Sequence, residues 1–444
     1  MAQRKKRVVI VGAGFAGLHA ARTAARETRG QAEVVLVNPT DYFLYLPLLP
    51  EVSAGVLEPR RITVPLATAV RGARLVLGKV DAIDTDERRL YLADPEGQRG
   101  SIRYDRLVLA PGSVNKLLPV PGVSDHAHGF RSIAEALYLR DHLVRQLELA
   151  SNTTDRTERE ARCTFVVVGA GYTGTEVAAA GQLFTDAAAK RLPNLGDQRI
   201  RWLLLDLAPA VLPGLDPRLG KAADRLLRRR GLEVRMKTSV AEASADGVKL
   251  TDGEFVPTRT LAWCVGVRPD PLIESLGLPV RQGRLTVDEY LTVPDHPDVF
   301  ACGDSAAVPD LTMPGQITPM TAQHAERQGR RAGQNVAASL GFGEKAVYKH
   351  HDLGFVVDLS GASAAANPLG IPLAGLPAKV VTRGYHLLSM PGNRPRVVAD
   401  WILDATFRRQ VSQLGLVRSG AVPLDTAAGL EHPTSEKHAR ARQT

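Results

Sequence analysis

The chain has 444 residues, 44% of them hydrophobic and 23% charged, with a formal net charge of +9. That length supports two or three domains with well-formed cores, and no apolar run is long enough to read as a transmembrane helix. Aromatic residues are only 5% and no basic–aromatic platform stands out, which argues against nucleic-acid binding. The three cysteines, Cys163, Cys264 and Cys302, are far apart. They form no C-x-x-C pair and imply neither a disulfide framework nor a metal site, so a reducing cytoplasm is expected.

The basic start, Met1–Arg7, is followed by an apolar run without a small-residue cleavage site, and it is not read as a signal peptide. The run Val8–Val11 enters Gly12-Ala13-Gly14-Phe15-Ala16-Gly17, and an Ala-rich helix is expected from Leu18 to about Thr28. This order suits a dinucleotide. Gly12 permits the tight turn, Gly14 lets the backbone approach a pyrophosphate, and Gly17 lets helix and strand pack closely. Asn38 ends the second strand (Ala32–Val37), where an acid usually meets the ribose; an uncharged hydrogen bond is expected instead. The apolar stretch from Tyr42 to Pro50 suits the wall of a flavin ring or quinone channel.

Residues 74–92 alternate like strands, with turns at 84–87 and 95–100. Ala110-Pro111-Gly112-Ser113 is a small-residue turn after a strand, open to close backbone approach by a ligand. A helix is expected over 133–150 and a polar surface linker over 151–162. Phe165–Val168 then enters Gly169-Ala170-Gly171-Tyr172-Thr173-Gly174, a second copy of the fingerprint, so two dinucleotides are expected. Glu176 falls in the first turn of the next helix, placed either at the nicotinamide end or on the surface. Asp206 ends the strand 200–205; an acid there accepts ribose hydroxyls and repels a 2′-phosphate, favouring NADH over NADPH. Three short strands are expected at 233–236, 248–250 and 260–265, and Gly266 marks the exit from this fold.

Val299–Cys302 leads into Gly303-Asp304, whose carboxylate suits a ribityl hydroxyl or a pyrophosphate-bound water. Thr321 opens a long helix whose N-terminus suits the pyrimidine edge of a flavin. His324, on that helix, is a candidate acid–base group but is read as a solvated histidine. Residues 370–420 interleave seven Lys/Arg with apolar side chains, a mix suited to anionic lipid and also to a dimer interface. The tail 431–444 is expected to be disordered.

In this order the fingerprints, the Ala-Pro-Gly-Ser turn, the Gly-Asp strand and the basic C-terminal segment resemble the two-dinucleotide-binding-domain flavoproteins. The likeness is strongest to the type II, single-subunit, non-proton-pumping NADH dehydrogenases. Its more specific pieces are Tyr45-Leu46-Pro47-Leu48-Leu49, Gly174-Thr175-Glu176 and Ala322-Gln323-His324-Ala325. The resemblance implies an α/β fold of two Rossmann-like domains, the second inserted in the first, plus a C-terminal α+β segment. The boundaries drawn are 1–118 with 286–345 for FAD, 119–285 for NAD(H) and 346–430 for the C-terminal segment.

It further implies that Gly12, Gly14, Phe15, Ala16, Gly17, Asn38, Ala110, Gly112, Gly303 and Asp304 belong to an FAD site. Gly169, Gly171, Gly174, Asp206 and Gly266 would belong to NADH. Glu176 and Gln323 are the expected catalytic pair: Glu176 near flavin and nicotinamide, Gln323 as the first glutamine of an A-Q-x-A-x-Q quinone motif. The second glutamine of that motif is replaced by Arg327, with Gln328 one position late. The expected activity is hydride transfer from NADH to FAD and then electron transfer to a membrane quinone, on the inner face of the cell membrane, with a homodimer also compatible. The alternatives are a soluble reductase of a ferredoxin-like or other protein acceptor, and a non-enzymatic redox-sensing flavoprotein.

Overall fold

Apolar β-branched runs, each closed by a glycine turn, form two parallel sheets in the computed structural model, which describes residues 4–351 and 353–425. The first sheet has six strands in the order Thr292–Val293, His296–Ala301, Arg106–Leu109, Arg7–Val11, Glu33–Asn38, Ala73–Leu77. All neighbours are parallel except the edge hairpin formed by the first two. The second sheet is parallel throughout, in the order Ala127–His128, Thr260–Trp263, Thr164–Val168, Arg201–Asp206, Glu233–Met236. The two are joined by an antiparallel ribbon, Ser113–Asn115 against Val267–Pro269.

The helix that follows the first fingerprint, Phe15–Thr28, begins earlier than its leucine pattern implies, directly at the turn. It packs on Ala322–Ala338 at backbone contact. A Cβ on Gly329 would lie 2.0 Å from the Ala16 carbonyl oxygen, and one on Gly333 would lie 2.6 Å from that of Ala20. Close approach of these two helices thus depends on glycine, and it fixes the end of Ala322–Ala338 against the first Gly-rich turn.

Two readings of the chain change. The segment 151–162 is no linker: the preceding helix runs Ile133–Asn152, and a short helix, Arg156–Arg162, follows. Asp155 caps it, its carboxylate accepting from the Thr157 N–H at 2.8 Å. The expected strand at 248–250 exists as Gly247–Leu250 but lies in a separate antiparallel sheet with Val240–Ala243 and Phe255–Pro257. Beyond residue 346, strands Val356–Asp358, Ala364–Ala366 and Leu373–Gly375 form a small antiparallel sheet carrying helix Leu376–Ser389, and helix Arg394–Thr406 follows, its Asp400 and Trp401 bonded to Arg61 and Glu51. No helix among the described residues is long and apolar enough to cross a membrane. The expectation for 431–444 lies outside the described residues.

Candidate active site between two glycine turns

The two fingerprints fold into the same device. In each, the first glycine sits at positive φ (Gly12 at 90°, Gly169 at 106°), a region costly for any residue with a Cβ. Its N–H donates to the end of the neighbouring strand, Gly12 to Val37 O at 2.8 Å and Gly169 to Leu205 O at 2.7 Å. The third glycine is a packing requirement: a Cβ on Gly17 would lie 1.8 Å from Gly12 O, and one on Gly174 1.8 Å from Gly169 O. The middle glycines, Gly14 and Gly171, have nothing within 4 Å of a Cβ and cap helices Phe15–Thr28 and Tyr172–Ala189 without any side-chain cap. Each helix therefore offers uncapped first-turn N–H groups to an anion. Two dinucleotide diphosphates fit these residues.

Asn38 is a correction. Its carboxamide oxygen accepts from the Ala13 N–H at 2.8 Å, and its Nδ2 donates to Thr40 O at 2.8 Å. It staples the first turn to its sheet and does not line the cavity. Asp206 does the same for the second turn, accepting from the Ala170 N–H at 2.5 Å and the Ala208 N–H at 2.7 Å, while it also faces the cavity.

A single cavity of about 1260 Å³ joins the turns. Gly14, Phe15, Ala16, Ala110, Gly112, Gly303 and Asp304 line it on the side of the first sheet, and Gly169, Gly171, Glu176, Asp206 and Gly266 on the side of the second. Gly12, Gly17 and Gly174 lie behind this lining, as their packing contacts require. The apolar stretch 44–50 contributes Leu44, Tyr45, Leu46, Pro47, Leu49 and Pro50.

Arg131 was not anticipated. It is half-buried, lines the cavity and donates to Ser113 Oγ at 3.1 Å, while Ser113 donates to Asp304 at 2.5 Å. It stands immediately before Ser132, the cap of a Ser132/Glu135 capping box; that S-x-x-E spacing was the signal that locates it.

Glu176 is not a surface residue. Its carboxylate accepts from the Asp358 N–H at 2.8 Å. Burial pushes its pKa well above the carboxylate range, with Asp358 and Glu51 adding to the rise against the Asp358 hydrogen bond and Lys379. Lys379 in turn holds Asp358 at 2.5 Å. Glu51, which accepts from Trp401 Nε1 at 2.5 Å, is pushed up to about 7, by burial first and then by Asp358. The C-terminal helices thus supply Lys379 and Trp401 to a buried acidic group that the sequence alone did not assemble.

Gln323 lines the cavity and donates to Gly354 O at 2.7 Å, leaving its buried Oε1 without a protein partner. Gln328 is structural: it accepts from the Gly303 N–H and donates to Thr318, both at 2.8 Å. Arg327 reaches His350 and the His351 carbonyl. His324 is also corrected: it is 5% exposed, not solvated, because its ring packs on His350 and hydrogen-bonds Tyr348. All three cysteines are free thiols. Burial raises Cys163 to about 11 and Cys264 and Cys302 to about 12, so none is a ready nucleophile.

Two helix N-termini facing one cavity fit a protein that holds two dinucleotides at once. The chain belongs to the pyridine nucleotide-disulphide oxidoreductase family, whose model matches residues 6–329. Within that family its likeness is to the type II NADH:quinone oxidoreductases. It is 31% identical over 424 residues to the enzyme NdhA of Mycobacterium tuberculosis, covering 91% of this chain and 87% of that one. It is 28% identical over 390 residues to the Staphylococcus aureus enzyme, covering 84% and 92%. The structure of NDH2 from Plasmodium falciparum in complex with NADH superposes with a TM-score of 0.83 at 17% identity, over 92% of this chain and all of that one.

Proposed function

We infer that the protein is an FAD-dependent NADH dehydrogenase that reduces a quinone without pumping protons. The observation that carries this reading is the continuity of one cavity from both glycine turns to Gln323, Tyr385 and His386 beneath the C-terminal helices. Flavin bound there supplies hydride acceptance from NADH and two-electron delivery to the acceptor. The chain's own part is orientation and electrostatics. Gly14–Gly17, Ser113, Arg131 and Asp304 hold the flavin nucleotide; Gly169–Gly174 and Asp206 hold NADH. Glu176, whose pKa burial raises, is positioned to donate a proton, and Gln323 offers its free Oε1 to a flavin N–H or to the O–H of the quinol. The FAD part comprises 1–118 and 286–345, the NAD(H) part 119–285 and the C-terminal part 346–430.

The two C-terminal helices expose Leu376, Val380, Leu388, Ile402 and Phe407 beside Arg396 and Arg408. This favours peripheral contact with the anionic, cytoplasmic leaflet of the cell membrane, through which an apolar quinone would arrive. The alternative occupant of that face is a second copy of the chain.

The test is stopped-flow reduction of the flavin-loaded protein by NADH, followed by mixing with a short-chain quinone. Rapid bleaching and rapid reoxidation are expected. Rapid bleaching with slow reoxidation would assign the acceptor role to a protein, and no bleaching would overturn the NADH assignment.

A further inference from the structure

We propose that His350, Tyr348 and His324 form a proton relay that brings to the cavity the one proton the reaction takes from solvent. The proposal rests on the quinone-reductase reading. NADH, quinone and one proton yield NAD⁺ and quinol; the hydride carries two electrons and one hydrogen, so the second hydrogen must enter as a proton. A largely apolar cavity needs a built route for it.

Geometry supplies one. His324 lies in the first turn of Ala322–Ala338, lines the cavity and places its Nδ1 2.9 Å from the Tyr348 hydroxyl. The same hydroxyl is 3.4 Å from His350 Nδ1. The two imidazoles stack with centroids 3.8 Å apart at 26°. Tyr348 is 3% exposed, His350 is partly exposed and His351 is exposed, so the chain of groups runs from the surface inward. One hydroxyl between two ring nitrogens donates to one and accepts from the other. Once Arg327 has moved off Nδ1 and His350 is protonated there, moving both protons carries a positive charge from His350 to His324. His324 then breaks its Nε2–H bond as the O–H bond of the quinol forms, which leaves the ring protonated on Nδ1; the relay is reset when Nδ1 gives up that proton and Nε2 takes one from cavity water.

Arg327, which stands where the motif has its second glutamine, gates the relay. Its guanidinium is 3.3 Å from His350 Nδ1 and also bonds the His351 carbonyl. A guanidinium only donates, so while it holds Nδ1 that nitrogen is a bare acceptor and the relay rests neutral. Two imidazolium rings stacked at this separation would repel, which limits the relay to one proton at a time. Among the described residues, Asp310 interacts electrostatically with His324 and Tyr348, and Glu326, on the same helix as His324, is paired with Arg330.

The test uses flavin-loaded wild type and the variants Tyr348→Phe, His324→Gln and His350→Gln. Each is reduced by NADH and reoxidised by a short-chain quinone, in H₂O and D₂O, between about pH 5 and 8. All four should bleach at the same rate, whereas reoxidation should slow by about tenfold or more in the variants and lose the wild-type pH dependence. Histidine Cε1 NMR gives an independent reading: His324 and His350 should titrate as a linked pair in wild type and separately in Tyr348→Phe. If His324→Gln fails to retain flavin, His350→Gln at its partly exposed position must show the same slowing. Unchanged reoxidation, pH profile and isotope effect in the variants beside a fast wild type would overturn the relay alone. A wild type that quinone reoxidises slowly would overturn the acceptor reading and the relay's role with it.

Discussion

Glu51 shows what a single buried side chain imposes. Its carboxyl is raised from 4.5 to about 7, so the folded protein keeps a proton there that the unfolded chain releases. The folded state binds more protons, and stability contributed by this group is fully present below pH 4.5 and is lost as pH rises through 7. Glu51→Gln should remove that dependence. Wild type should lose about 3 kcal/mol relative to the variant between those limits, read as a narrowing or reversal of the difference in thermal midpoint. A constant difference across the range would show that Glu51 stays ionised. None of this was visible in Leu49-Pro50-Glu51, because the neighbours that desolvate Glu51 and approach it come from residues 358, 379 and 401. Asn38 and His324 were misjudged for the same reason: their partners are backbone and side chains that only folding supplies.

The strand–turn–helix units, by contrast, are legible in the residues themselves. The first and third glycines of each fingerprint have a local backbone reason, and local reasons are written in consecutive residues. The twin geometry makes separable predictions. A methyl group at Gly174 cannot fit 1.8 Å from the Gly169 oxygen without backbone movement. Gly174→Ala should therefore stay yellow yet need about 100-fold more NADH for half-maximal bleaching, a loss of about 3 kcal/mol in binding. A titration with unchanged half-saturation would mean that this turn does not hold NADH. Gly17→Ala should instead release the flavin on gel filtration, measured by the ratio of visible to ultraviolet absorbance. The helix Arg156–Arg162 was missed because its seven residues are polar and short, and Asp155 carries its start.

For the whole molecule, the exposed apolar side chains of the C-terminal helices lie next to arginines on a chain of charge +9. Replacing Leu388, Ile402 and Phe407 together with Glu should abolish co-sedimentation with anionic vesicles while bleaching by NADH is unchanged. Raised salt should weaken the wild-type binding in the same assay. If the triple variant still sediments and wild type is a monomer in solution, the membrane face lies elsewhere. If wild type is instead a dimer that the triple variant dissolves, the face is a subunit interface.

By itself the sequence determined the two parallel α/β folds and both glycine cradles, because those features depend on backbone conformation over a few neighbouring residues. The tertiary structure alone decided how Arg131 meets Ser113 and Asp304, how Glu51, Glu176 and Asp358 share one lysine, and how two histidines 26 residues apart in the chain come to stack. Those arrangements arise where separate elements pack, and burial there changes both the partners and the protonation of each group. Local pattern carries the fold; desolvation on packing sets the chemistry.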